Sequence, residues 1–137
     1  MPVLMGTRSV ATIWKRPATT LGTPAYVAHE VTAVTQVDPK TVNKPTGTLD
    51  GHVMIGVMAL ATTTEPQTTT FETLGWTPIN TQNPGTQLLR TYYKVASSEP
   101  ASYSLDWSSG HPFSCLSIIT FSGVSNSSPI DGTPSVN

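Results

Sequence analysis

The sequence predicts an all-β fold: an antiparallel β-sandwich, jelly-roll or immunoglobulin-like, of about 6–8 strands with an extended N-terminal arm. Three observations carry this. Gln87–Val124 holds three strand-like runs, two of which alternate apolar and polar residues with the period of two that seats one strand face on a core. Thr and Ser number 37 of the 137 residues, and the β-branch of Thr favours extended backbone. Twelve Pro and ten Gly are spread along the chain, and no window shows a 3.6-residue apolar period with helix caps.

Residues 1–24 read as an arm or edge strand: Thr7–Trp14 can alternate as a strand, and Lys15-Arg16-Pro17 stops it. The sandwich domain is expected over 25–131, with 132–137 as a tail. Tyr26–Val37 reads as a strand ended by Asp38-Pro39-Lys40, and Asn43–Gly51 as a turn-rich link. Val53–Ala61 is a continuous apolar run of nine, expected to be a central buried strand. Thr62–Thr70 is a polar loop, Phe71–Ile79 a short strand or corner whose Trp76 plugs the core, and Asn80–Thr86 a turn.

In Gln87–Ala96, Leu89, Thr91, Tyr93 and Val95 share one face, and Arg90, Tyr92 and Lys94 the other, polar one. In Ala101–Trp107, Tyr103, Leu105 and Trp107 share the inward face. Phe113–Val124 is apolar on both faces around Leu116–Phe121, as in a strand covered on both sides. The breaks Ser-Ser-Glu-Pro and Ser-Ser-Gly-His-Pro suggest that these three runs pair consecutively as a β-meander.

Length fits one domain. A net charge of −1 without a basic run predicts no nucleic-acid partner. The N-terminus lacks a secretory pattern, and nine consecutive apolar residues are about half of a membrane span. No membrane partner is therefore expected, and synthesis is expected in the cytoplasm. The single Cys115 allows no internal disulfide and reads as a small buried hydrophobe.

His29, His52 and His111 form no metal-ligand spacing, so neither a metal nor a cofactor is expected. The eight acids are scattered, and GxSxG, P-loop and dinucleotide fingerprints are absent. No catalytic constellation is expected. Among the aromatics, Tyr103 and Trp107 belong to the core, whereas Tyr92, beside Arg90 and Lys94, is the candidate exposed contact. Trp14, Lys15 and Arg16 of the arm complete the candidate surface contacts.

Read in order, Lys44-Pro45-Thr46-Gly47-Thr48, Gly75-Trp76-Thr77, Tyr92-Tyr93-Lys94-Val95-Ala96, Glu99-Pro100-Ala101-Ser102-Tyr103, Trp107-Ser108-Ser109, Phe121-Ser122-Gly123-Val124 and Pro129-Ile130-Asp131 form a set. It resembles a β-sandwich module of phage virion and tail-associated proteins and of some bacterial surface proteins, over about two-thirds of the chain. The resemblance implies a non-enzymatic structural part of a tailed-phage virion, either a capsid decoration protein or a minor tail or fibre component. Its partners would be other virion proteins, with homo-oligomers, a trimer included, and its location the virion. The alternative it implies is a carbohydrate- or host-receptor-binding module, with a glycan as ligand. Two departures stand out: Gly51-His52 replaces the family's Gly-Asp, so any role of that Asp does not transfer, and the chain ends six residues after Asp131. The arm, or a neighbour's arm, is expected to fill the place of the strands that usually follow.

Overall fold

The structure, a computed structural model, describes residues 22–66, 69–107 and 110–132. Among them are seven strands and no helix: β1 (Ala25–Val31), β2 (Lys40–Asn43), β3 (Val53–Leu60), β4 (Thr77–Gln82), β5 (Leu88–Val95), β6 (Ser102–Leu105) and β7 (Ser114–Ser122). They form a five-stranded sheet in the order β1-β7-β3-β5-β4 and a two-stranded sheet of β2 and β6, antiparallel throughout. The all-β, two-sheet sandwich expected from the sequence is what the chain forms.

The apolar Val53–Ala61 run takes the central place, with β5 on one side and β7 on the other. A strand apolar on both faces belongs in a sheet interior, where both of its edges are paired. The inner face of this sheet presents Met54, Met58 and Leu60 of β3, Leu88 and Tyr92 of β5, and Leu116 and Ile118 of β7. The small sheet answers with Val42, Tyr103 and Leu105, and Phe71, Trp76 and Trp107 close the same core.

The expected meander is not formed. β5 pairs with β3 and β4, β6 crosses to β2 in the other sheet, and β7 returns between β1 and β3. Alternation specifies which residues share a face, but not which strand supplies the hydrogen bonds. β1 also stops at Val31, six residues short of the expected strand, and continues as a connection with one bridge, Thr35 to Ser114. The expected turn over 80–86 starts later, because β4 runs to Gln82. β2 was not anticipated: Lys-Thr-Val-Asn has one apolar side chain, and Lys40 is buried because its Nζ donates to the Ala33 carbonyl (2.7 Å) and to Thr35 Oγ1 (2.6 Å). The expected arm, apart from Gly22–Pro24, lies outside the described residues.

Trp76 is delivered by a tight turn. Its amide donates to the Phe71 carbonyl (3.0 Å), Thr70 and Thr73 exchange side-chain and amide bonds, and Gly75 takes φ +82°. The indole then lies on Gly56 in mid-β3, where an added Cβ would stand 3.1 Å and 3.3 Å from two ring carbons. Phe71, Trp76 and Tyr103 stack edge to face, with centroids 5.1 Å and 5.3 Å apart, and Phe71 reaches Tyr92 at 4.9 Å. Glycine in a strand interior marks such a close approach. Gly56→Val is expected to cost about 2 kcal/mol of stability by overpacking. Urea unfolding followed by Trp fluorescence measures it, and an unchanged midpoint would contradict this packing.

Candidate interaction surface

The polar face of β5 turns inward. Arg90, Tyr92 and Lys94 lie opposite Met58, Gly56 and Met54 on the core side of the sheet. Tyr92 is 1 % exposed, so the surface contact expected of it is not available. Leu89, Thr91, Tyr93 and Val95 take the other side, with Leu89 exposed. The reversal has a physical reason. Arg90 and Lys94 lay their aliphatic stems along the core and carry their charges to its rim, leaving the ring between them buried.

Each rim charge ties a loop to the sheet. Arg90 Nη1 pairs with Glu65 (2.7 Å) and Glu72 (3.0 Å), both in the stretch between β3 and β4. Lys94 Nζ pairs with Glu99 (2.8 Å), whose side chain is 3 % exposed, and also donates to the Leu74 carbonyl (2.9 Å). Glu99 further accepts the Tyr103 hydroxyl (2.7 Å) and the Ser97 amide (3.0 Å). Burial would raise the Glu99 carboxyl, but the bonds from Lys94, Tyr103 and Ser97 outweigh it and hold the group below the ordinary glutamate value. Burial, then the Glu72 and Glu65 charges, pushes the Tyr92 phenol up to about 12 against the opposing pull of Arg90. Burial and donation to Glu99 push Tyr103 up further.

The motif residues thus turn out to be scaffold. Trp76, Tyr103 and Trp107 are core, and Lys94, Glu99 and Tyr103 form one buried unit. Thr48 is buried and bonds the Pro45 carbonyl and Thr120. Gly123, at φ +70°, packs its backbone against the Thr23 carbonyl, where any Cβ would collide. His52 sits in its turn with Nδ1 accepting the Leu49 amide (3.2 Å), and His111 is exposed. The described residues hold no group of three or more His, Cys, Asp or Glu able to bind a metal. Trp14, Lys15 and Arg16 lie outside the described residues, so only Arg90, Tyr92 and Lys94 are placed, side by side on one face.

The surface that sequence reading missed is the outer face of the five-stranded sheet. Its rows are Ile55, Val57 and Ala59 on β3, Tyr93 and Val95 on β5, and Cys115, Ile119 and Phe121 on β7. These are half-buried, Cys115 included, rather than sealed as expected; Thr91 and Ser117 interrupt the rows, and Val53, on the same face at the Phe121 end, is sealed at 2 % exposed. No second sheet of the described residues packs there, since the two-stranded sheet sits on the opposite face. Towards one end the surface becomes openly apolar: Val31, Val34 and Val37 are 58 %, 66 % and 50 % exposed, and Phe113 is 51 % exposed. The signal was present in the double-sided apolarity of β3 and β7, which asks for a cover on each side.

Comparison with models of known protein families, with curated proteins and with solved structures finds no match for this chain.

The ion-pair cluster fixes the pH behaviour. Glu99 binds its proton more weakly when folded, so the stability it contributes is present above its ordinary value of 4.5 and is lost as the pH falls below it. Glu99→Gln should cost about 2 kcal/mol at neutral pH and flatten the acid limb of a stability–pH curve measured by urea unfolding. Tyr92 and Tyr103 act in the opposite sense: raised values mean stability that is full below the ordinary 10.0 and is lost as the pH rises past it. Tyr103→Phe should weaken that alkaline loss, as read by the same unfolding series.

Proposed function

We propose that this chain is a non-enzymatic structural protein of a tailed-phage virion, a capsid decoration protein or a minor tail or fibre-associated component. It acts through subunit–subunit contacts. The observation that carries the reading is the apolar end patch of Val31, Val34, Val37 and Phe113, which a solvent-facing role does not explain. Thr35 bridges Ser114, so Val34 and Phe113 are neighbours of paired residues on adjoining segments. The ordered motif set supports the reading from a second side. Its residues build a rigid two-layer scaffold, while low charge and abundant hydroxyls leave association to apolar contact and hydrogen bonding.

The glycan-binding alternative needed Trp76 and Tyr92 at the surface, and both are core residues, 3 % and 1 % exposed. The hypothesis therefore loses those two side chains, which leaves Tyr26, 59 % exposed, as its aromatic candidate for a sugar contact.

The test is association with particles. In gradient-purified phage, mass spectrometry should find the chain co-sedimenting with the virion, at high copy number for decoration or at a few copies for a tail role. Val34→Asp with Phe113→Asp should abolish co-sedimentation without unfolding the scaffold. A chain that stays in the supernatant overturns the proposal.

A further inference from the structure

The middle of the outer face needs an occupant of its own, whatever the end patch binds. The three strands that carry its apolar rows, β7, β3 and β5, at ~4.8 Å spacing and ~27 Å length give a largely apolar area on the order of 400 Å², whereas the outward positions of β4 are Thr77, Asn80 and Gln82. Its charged or titrating side chains are few: among the five strands' outward positions only His29 carries a titrating nitrogen base, and it is bonded to Tyr26 Oη (2.7 Å).

We propose that residues 1–21 of the same chain fold back over this face and supply its missing layer. Where the segment starts is the first reason. Gly22 lies against Gly123, where a Cβ would stand 3.3 Å from the Gly123 Cα, so the segment joins the body just past the Phe121 end of β7, one of the strands that form this face.

Reach is the second reason. Trp14 lies eight residues before Gly22, and Cys115 lies eight residues before Gly123. An extended segment covers about 27 Å in that distance, which carries Trp14 from the Phe121 end of β7 to the level of Cys115. There Ala59, Pro84 and Leu89 help line a hollow of about 290 Å³, and Ala59 is the cross-strand neighbour of Cys115.

Composition and charge decide between this occupant and a second copy of the sheet. Ten of the 21 residues are apolar, among them Val10, Ile13 and Trp14. The segment holds Arg8, Lys15 and Arg16 and no acid, a charge of +3. The remaining 116 residues hold four basic against eight acidic residues, a balance of −4. The segment and its own body are of opposite charge and attract, and the tether raises their effective concentration above that of a second copy.

Cys115 serves as the reporter. In the full chain its thiol should react with a disulfide reagent at least tenfold more slowly than in the full-length chain carrying Ile13→Asp and Trp14→Asp, with circular dichroism confirming that both are folded. The protection should not change on dilution. If the substituted chain does not fold, trypsin cleavage after Lys15 of the unaltered chain should raise Cys115 reactivity in step with cleavage. Equal reactivity with and without the substitutions, or reactivity indifferent to cleavage, overturns the proposal. Protection that disappears on dilution overturns it too, because a second copy is then the cover. Neither result bears on co-sedimentation with particles, so this inference and the virion reading fail separately.

Discussion

The seating of Trp76 on Gly56 is the contact on which the rest of the structure depends. A two-stranded sheet is too narrow to cover a five-stranded one, and the deficit is made up by aromatic rings from the stretch before β4. Trp76 bridges the layers by touching Gly56 of the large sheet and stacking on Tyr103 of the small one. The missing side chain at Gly56 is what lets an indole come down onto β3. The bridge carries a cost, since Trp76 Nε1 is buried without a hydrogen-bond partner among the described residues.

Electrostatics follow from the same arrangement. Because the core needs the Tyr92 ring, Arg90 and Lys94 on either side of it must also enter the inner face, and they escape only at the rim. There they meet Glu65, Glu72 and Glu99, so basic side chains that a sequence search would offer as surface contacts hold loops in place. The stretch that Arg90 holds through Glu65 and Glu72, and Lys94 through the Leu74 carbonyl, carries Phe71 and Trp76, and charge and packing are therefore coupled. Glu99 joins the two sheets chemically by accepting from Lys94 on β5 and from Tyr103 on β6.

Fold class, strand count, the central position of β3 and the core roles of Trp76, Tyr103 and Trp107 were legible in the sequence, because each rests on local apolar pattern and turn chemistry. Pairing was not legible. β6 pairs with β2 across some sixty residues, and nothing in Ser-Tyr-Ser-Leu identifies Lys-Thr-Val-Asn as its partner. Tyr92 was misplaced for a related reason: in β5 both faces mix apolar and polar residues, so the direction of burial is set by what lies across the sheet. The outer face was legible only as a demand, in strands apolar on both sides, without any sign of what meets it.

Solution NMR of the Gly56 α-protons tests the central contact most directly. An indole held against them predicts strong upfield ring-current shifts and nuclear Overhauser contacts from Gly56 to the Trp76 ring, with Trp76 in turn connected to Tyr103. Gly56 α-protons at ordinary strand shifts, without contacts to Trp76, would contradict a fold organised around that seat.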